Sequence, residues 1–183
     1  MSRGENAILS PMARHAVVFD LDEILIDSRL AEPLRQDRRW GEVYKTIPRL
    51  PPYDGISQLL QWLSKRGVGL GIATARPARY CELVVKRWSF PINARVCFGD
   101  TPLRKPSPEP ILACLKKLGV APADAVAVGV DLQDVRAARA AGAYSVVAQW
   151  GTGPVDSVLE ACPDAECATI QDLKDGLTKH FGL

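Results

Sequence analysis

The feature that most constrains this chain is a short apolar segment that ends in two aspartates. Residues 16–19 read AVVF, and Asp20 and Asp22 follow, spaced by one residue. A Val-rich run this short predicts a buried β-strand, and ligands of open α/β sheets bind where the strands end. Two close carboxylates repel each other unless they share a proton or a divalent cation. The residues alone leave a second interpretation open, in which both aspartates cap the loop after the strand.

If a cation binds the two aspartates, Mg²⁺ is the expected one. Mg²⁺ prefers few carboxylates together with phosphate oxygens of a substrate. The nearest zinc-type ligand, His15, lies at the other end of the predicted strand. The pair therefore favours a magnesium site over a zinc site.

Composition indicates one domain in a reducing compartment. The 183 residues are 47% hydrophobic, which is enough for a full core. The net charge of +2 gives no reason to expect nucleic acid or an acidic membrane. No apolar run approaches the ~20 residues of a membrane span, and the N-terminus lacks a signal-peptide core, so we expect a cytoplasmic protein. The five cysteines form no metal motif and are expected to be reduced core thiols.

Strand and helix patterns alternate along the rest of the chain. Further strands are predicted at 68–73, 95–98, 125–130 and 144–148, and helices at about 31–40, 54–65, 77–88, 107–118 and 132–141. Another helix is predicted from residue 155, and a last strand and helix near 168–179. This alternation predicts a three-layer α/β/α, Rossmann-like parallel sheet. Residues 1–14 are expected to form a flexible arm, and 15–183 one domain.

Local signals mark several helix ends. Asp54 is the expected N-cap of the helix that ends near Lys65, and Ser107 and Pro108 are the expected N-cap and first residue of another. Gly142 is placed to end the helix over 132–141. Between residues 40 and 52, Pro48, Pro51 and Pro52 favour an extended linker over a helix.

Polar side chains follow four of the predicted strands. Asp20 and Asp22 come after the first, and the others are Thr74 with Arg76, Lys105, and Asp131 with Asp134. Because parallel strands end at one edge of the sheet, these groups can converge into a phosphate site. Each has a local alternative: a turn for Thr74, a solvated side chain for Lys105, a surface salt bridge for Arg76, and a helix N-cap with its acidic partner for Asp131 and Asp134.

These motifs together resemble those of the haloacid dehalogenase superfamily, and most closely its phosphoglycolate phosphatase-like branch. The motifs are DLDEI at 20–24, Thr74 in IATAR, Lys105 in RKPSPEPIL, VGVDLQDVRAARAAG from 128, and the WG pair at 150–151. They occur in the family order over about residues 16–153. The resemblance implies the haloacid dehalogenase-like fold and a Mg²⁺-dependent phosphomonoester hydrolase.

The resemblance also implies a role for each matching residue. Asp20 is expected to attack phosphorus, and Asp22 to serve as general acid and base. The expected phosphate ligands are Thr74, Ala75, Arg76 and Lys105. The expected magnesium ligands are Asp20, the main-chain carbonyl of Asp22, and Asp131 or Asp134 from the fourth motif. An aspartate at position 22 distinguishes phosphatases from dehalogenases in this family.

Three positions depart from the family pattern. Val130 stands where the fourth motif has its metal-binding aspartate, and Asp131 is displaced by one residue, which can turn its side chain away from the site. Glu23 and Ile24 replace the usual Gly and Thr, giving a bulkier turn with an added charge. These departures support an alternative function, a weak or inactive relative that binds a phosphorylated ligand or a protein partner.

The segment 29–52 occupies the place of the family's cap but is short. It has too few residues for the multi-helix cap that closes over small substrates in relatives. We therefore expect an open site, walled by a neighbouring copy in a homo-oligomer or filled by a bulkier phosphorylated substrate. The sequence does not name that substrate.

Overall fold

A six-stranded parallel sheet forms the centre of the protein. The computed structural model describes residues 13–151 and 160–183. The strands are β1 (Ala16–Phe19), β2 (Gly69–Ala73), β3 (Ala94–Val96), β4 (Ala125–Gly129), β5 (Tyr144–Ala148) and β6 (Ala165–Cys167). Their spatial order is β3-β2-β1-β4-β5-β6, with every pairing parallel. This is the doubly wound order in which a ligand crevice opens between β1 and β4, so the predicted fold class is confirmed.

Seven α-helices accompany the sheet in the described residues. They are α1 (Glu32–Gln36), α2 (Trp40–Thr46), α3 (Ile56–Lys65), α4 (Ala78–Trp88), α5 (Glu109–Leu118), α6 (Leu132–Ala141) and α7 (Ile170–Phe181). Helices α5 and α6 cover one face, packed against β1 to β5. Helices α3, α4 and α7 cover the other face, so the molecule has the three predicted layers.

The strands are buried because both faces of the sheet are covered. Alternate residues of β1 divide between the two cores: Val17 and Phe19 face α3, α4 and α7, whereas Ala16 and Val18 face α5 and α6. Small residues let α5 and α6 approach closely. A Cβ at Gly71 would lie 2.4 Å from Cys114 Sγ of α5. The sheet edge that follows these strands is therefore held in a fixed position by dense packing.

The predicted helix over 31–40 is confirmed only over residues 32–36, and the extended linker predicted after it is wrong. Helix α1 ends at Gln36 because Arg38 adopts a left-handed conformation, with φ of 56°. Helix α2 follows at once, and a 3₁₀ helix at Ile47–Arg49 takes Pro48 in its first turn. Val43, Ile47 and Leu50 are buried in the core, so the insertion packs against the domain.

Several predicted element ends shift by one or two residues. Helix α3 begins after Gly55, whose φ of 91° suits glycine, so Asp54 is not its N-cap. Helix α5 begins at Glu109, one residue after the expected Pro108, and the Glu109 N–H donates to the Ser107 hydroxyl at 3.3 Å. Strand β4 ends at Gly129, which leaves Val130 in the loop that follows.

The remaining predictions have mixed outcomes. Most of the expected N-terminal arm and the helix expected from residue 155 lie outside the described residues. Four cysteines are free and buried as expected, but Cys162 is exposed, so it is not a core thiol. In the part of the chain that the structure describes, no helix is long and apolar enough to cross a membrane.

Candidate active site

A polar cavity of about 380 Å³ opens at the carboxyl ends of β1, β2 and β4. This is the crevice where the strand order reverses, the usual binding position in doubly wound sheets. Its lining contains most of the residues that the sequence singled out: Asp20, Thr74, Ala75, Arg76, Lys105, Asp131 and Asp134, together with Arg104 and Gln133. The structure therefore brings together side chains that are more than 100 positions apart in the chain.

Lys105 lies at the centre of this cavity. Its Nζ donates to Asp20 Oδ1 at 2.8 Å, to the Ala73 carbonyl at 3.0 Å, and to Asp134 Oδ1. Only 12% of its side chain is exposed. The solvated-lysine interpretation is therefore wrong, because Lys105 is a largely buried cation that joins the ends of β1 and β2 to the first turn of α6.

Burial and the neighbouring charges shift the pKa values of Asp20 and Lys105. Burial raises the pKa of Asp20 to about 6, against the lowering effect of the Lys105 ammonium. Burial alone would lower the pKa of Lys105, but the carboxylates of Asp134 and Asp20 outweigh it and raise that pKa above its ordinary value. Near neutral pH the cavity thus holds an ionised Asp20 beside a charged Lys105.

The start of α6 sets the positions of Asp131 and Asp134. Asp131 Oδ1 accepts from the Asp134 N–H at 2.8 Å, and Asp134 Oδ2 accepts from the Asp131 and Val130 N–H groups, which makes a capping box. A Cβ at Gly129 would lie 2.1 Å from Asp134 Cβ, so only glycine permits this approach. The capping interpretation is correct for both aspartates, and both also line the cavity.

Asp131 faces the cavity, contrary to the expectation that its displacement could turn it away. Its extended N-cap backbone, with ψ of 171°, carries the side chain back over the sheet edge. Burial, and next the neighbouring Asp134 carboxylate, raise the pKa of Asp131. Val130 instead packs partly buried against the hydrophobic core, so it does not replace a ligand within the cavity.

Asp22 does not line the cavity. Its Oδ2 accepts from Arg76 Nε at 2.5 Å and lies 3.3 Å from Arg35 Nη1, and its Oδ1 accepts from the Tyr80 hydroxyl at 2.9 Å. The residue is only 4% exposed. The expected surface salt bridge of Arg76 is therefore a partly buried pair with Asp22, and only Arg76 of this pair lines the cavity.

The turn after Asp22 is bulkier than the family pattern, as predicted, but its added charge points away from the cavity. Glu23 has a left-handed φ of 60°. Its carboxylate accepts from the Ser28 N–H and hydroxyl and from the Tyr53 hydroxyl, at 2.8 to 3.1 Å. Trp150 Nε1 donates to the Ile24 carbonyl at 3.1 Å, and a Cβ at Gly151 would lie 2.4 Å from the Glu23 carbonyl oxygen. The WG pair therefore braces this turn.

Arg35, Tyr80, Arg104 and Gln133 were missed by the sequence reasoning. Arg104 directly precedes Lys105, and this adjacency was an available signal. Arg35 and Tyr80 gave none, because each meets Asp22 only through the tertiary fold.

The donor set of the cavity fits a magnesium ion with few protein ligands. In residues 13–151 and 160–183 no three His, Cys, Asp or Glu side chains are grouped as a complete metal cage. The carboxylates of Asp20 and Asp131 nevertheless line one cavity, and Mg²⁺ commonly takes one or two carboxylates and fills its other positions with water and phosphate oxygens. Asp134 has both oxygens engaged by Lys105 and main-chain N–H groups.

The family comparison agrees with this geometry. A model of the haloacid dehalogenase-like hydrolases matches residues 34–148, more than half of the chain. The protein therefore belongs to the haloacid dehalogenase-like hydrolase family, and the resemblance drawn from its motifs is confirmed. The matched range contains Thr74, Lys105 and Asp134, whereas Asp20 and Asp22 precede it.

Curated relatives include two kinds of phosphatase. N-acetylmuramic acid 6-phosphate phosphatase of Pseudomonas aeruginosa is 35% identical over 130 residues, which are 69% of this chain and 57% of that protein. Phosphoglycolate phosphatase of Xylella fastidiosa is 37% identical over 140 residues, 74% of this chain and 58% of that protein. The chain thus spans somewhat more than half the length of these relatives.

Solved structures show the same fold at lower identity. A hydrolase from Pseudomonas syringae superposes with a TM-score of 0.77 at 21% identity, over 91% of this chain and 99% of that one. A HAD phosphatase from Thermococcus onnurineus gives a TM-score of 0.72 at 23% identity, over 89% and 97% of the two chains. These likenesses confirm the doubly wound architecture.

Proposed function

We propose that this protein is a Mg²⁺-dependent phosphomonoester hydrolase that works through an aspartyl-phosphate on Asp20. The observation that supports this most strongly is the buried Lys105, which pairs with Asp20 in a cavity also lined by Thr74 and Asp131. A carboxylate nucleophile beside a fixed cation, with further polar groups around it, is suited to phosphoryl transfer. The phosphatase names of the curated relatives support the same activity.

In the first step an Asp20 carboxylate oxygen forms a bond to phosphorus while the ester oxygen–phosphorus bond breaks. Lys105, the Thr74 hydroxyl and the main chain at Ala75 bind the phosphoryl oxygens, on which negative charge accumulates. Arg76 extends this binding surface at the cavity wall. In the second step water attacks phosphorus, the Asp20 oxygen–phosphorus bond breaks, and inorganic phosphate leaves.

Asp22 transfers the protons in both steps. It protonates the leaving alcohol oxygen in the first and accepts the proton of the attacking water in the second. Since Arg76 and Tyr80 now hold its carboxylate outside the cavity, this role requires the side chain to turn toward Asp20. Its buried partners then provide the resting position to which it returns.

Magnesium would be held by Asp20 and Asp131, with the main-chain carbonyl of Asp22 as a third ligand. When bound, it supplies positive charge that offsets the negative charge of the phosphoryl oxygens and the carboxylates. The hydrogen bonds of Asp134 favour Asp131 as the magnesium ligand of the fourth motif, because Lys105 and main-chain donors already engage Asp134.

The substrate is a phosphorylated small molecule in this proposal. A cavity of about 380 Å³ lies at the lower end of the range for small-molecule sites. No residue of the 29–52 insertion lines it, which supports the prediction of an open site that a neighbouring copy or a bulkier substrate completes. The cytoplasm remains the proposed location, with neither nucleic acid nor membrane as a partner.

A second candidate function is a weak or inactive relative that binds a phosphorylated ligand or a protein partner. The observation that favours it is the ion pairing of Asp22 with two arginines, which holds the proton-transferring group outside the cavity. Under this alternative, the protein would bind a phosphorylated ligand without hydrolysing its ester bond.

Phosphate release from p-nitrophenyl phosphate tests the proposal against this alternative. Wild-type protein is assayed with Mg²⁺ and with excess chelator, beside Asp20→Asn and the exposed control Asp124→Asn. The proposal expects turnover that the chelator and Asp20→Asn abolish and Asp124→Asn keeps. Saturable phosphate binding without turnover would establish the binding function instead.

A further inference from the structure

One cation of the cavity remains unused by the proposed chemistry. Among the described residues, three basic side chains line the cavity: Arg76, Lys105 and Arg104. Lys105 pairs with Asp20 and Asp134, and Arg76 pairs with Asp22. Within the part of the chain that the structure describes, Arg104 pairs with no carboxylate. Its guanidinium is therefore free to bind an anion of the ligand.

The position of Arg104 is set by the loop that delivers Lys105. The two residues are adjacent, and both line the main cavity and a small neighbouring cleft bounded by Phe98. The Arg104 guanidinium lies 5.7 Å from the centre of the Phe98 ring. The main-chain N–H of Phe98 donates to the Arg76 carbonyl at 2.9 Å, so the main chain that carries the ring is hydrogen-bonded to the loop that follows β2.

The Phe98 ring restricts Arg104 without neutralising it. A guanidinium near an aromatic face keeps its N–H groups, which lie in the plane of the guanidinium, available for hydrogen bonds to another group. Phe98 is 55% exposed, an unusual position for a large apolar side chain, and here it orients a cation at the mouth of the cavity. A planar fork so placed is suited to a carboxylate or a phosphate, which it can bind through two parallel hydrogen bonds.

We propose that Arg104 binds a second anionic group of the substrate and so determines specificity for phosphomonoesters that carry one. This inference rests on the proposed function, because the first anionic group is the phosphoryl group at Asp20 and Lys105. The second group is a carboxylate or another phosphate, since both present the same oxygen geometry to a guanidinium. Phosphomonoesters without a second anionic group would lack this contact.

Matched substrates test the proposal. Phosphoglycolate and 2-hydroxyethyl phosphate differ mainly in a carboxylate against a neutral alcohol, and ethylene glycol bisphosphate supplies a second phosphate. The ratio of kcat/KM for each anionic substrate to that for the neutral one is measured in wild type, Arg104→Gln and Arg104→Lys. The control is Arg66→Gln, because Arg66 is also exposed and lies 4.2 Å over an aromatic ring, that of Trp62, but outside the cavity.

A charge-assisted pair at this site predicts that Arg104→Gln lowers the ratio about tenfold for the preferred anion. Arg104→Lys should recover part of that loss, and Arg66→Gln should leave the ratio unchanged. The anionic substrate whose kcat/KM ratio falls more in Arg104→Gln identifies the second group as carboxylate or phosphate. An unchanged ratio in Arg104→Gln for both anionic substrates would overturn the proposal, since the guanidinium would then contact neither.

Calorimetric titration keeps this result separate from the proposed function. If wild type hydrolyses neither p-nitrophenyl phosphate nor any of the three compounds, the hydrolase proposal fails, and affinities still test Arg104 directly. Tighter binding of an anionic compound over 2-hydroxyethyl phosphate, lost in Arg104→Gln, would support the second-anion site alone. Equal affinities for all three compounds in wild type would refute it.

Discussion

Arg35 offers the sharpest test of how the insertion supports the site. It lies in α1, and only 5% of its side chain is exposed. Its guanidinium lies 3.3 Å from Asp22 Oδ2, in an ion pair outside hydrogen-bond geometry, and donates to the Ser28 hydroxyl at 3.2 Å and to Glu32. Burial alone would lower the pKa of Arg35, but Asp22 and Glu32 outweigh it and raise that pKa. We therefore expect Arg35→Met to destabilise the protein.

The magnitude follows from what Asp22 retains. Removing one partner of a buried pair costs about 3–5 kcal/mol when the other charge is stranded. Asp22 keeps Arg76 at 2.5 Å and Tyr80 at 2.9 Å, so the full cost is not reached. Methionine also preserves most of the buried volume. We expect a loss of about 2 kcal/mol in the free energy of unfolding, or roughly 4–8 °C in Tm for a chain of this size.

Urea unfolding measures this loss against a matched control. Arg39→Met removes an arginine whose side chain is 50% exposed and pairs with Glu42, and it should cost under about 0.5 kcal/mol. Arg35→Met combined with Asp22→Asn should cost less than the sum of the two single changes, because the two side chains interact. Equal losses in Arg35→Met and Arg39→Met, or strict additivity with Asp22→Asn, would show that Arg35 does not stabilise the protein through Asp22.

Two further predictions concern the main chain around the site. Glu23→Gly relieves a left-handed conformation that costs about 1 kcal/mol, but it removes three hydrogen bonds to the Glu23 carboxylate. We expect thermal unfolding to show a net loss of about 1–2 kcal/mol in the free energy of unfolding. A glycine variant more stable than wild type would contradict this. Gly129→Ala places a methyl group 2.1 Å from Asp134 Cβ, so we expect a loss of about 1–3 kcal/mol and weaker phosphate binding by calorimetry. Its control, Gly176→Ala in α7, has open space at the new Cβ and should not destabilise; similar losses in both would point to a general helix or strand effect.

The sequence predicted the parts of the molecule that depend on local pattern. Short Val-rich runs and amphipathic helices specify a parallel sheet because both faces of each strand must be buried. Asp20, Thr74 and Lys105 converge because their strands end at one edge, and that convergence follows from topology alone. The motif order added the family, which the comparison with known proteins confirmed.

The sequence could not predict how side chains at that edge pair with one another. Asp22 turns toward Arg35 and Tyr80 because the tertiary fold places two helices there, and no spacing in the chain records it. The prolines of the insertion predict an extended linker, but Pro48 fits the first turn of a 3₁₀ helix, so the helical structure around it is not visible in the pattern. Asp131 reaches the cavity through its extended N-cap backbone. This conformation is not visible in the sequence, where Asp131 is only seen to lie one position after the family's metal-binding aspartate.

Direct detection of a phosphorylated peptide tests whether Asp20 accepts the phosphoryl group. Wild type and Asp20→Asn are each incubated with p-nitrophenyl phosphate and Mg²⁺, the mixture is quenched rapidly in acid, and peptide mass spectrometry locates any added phosphoryl group. We expect a phosphorylated Asp20 peptide in wild type and none in Asp20→Asn, which should also release no phosphate. Phosphate release by Asp20→Asn, or a phosphoryl group on another residue of the wild type, would contradict it.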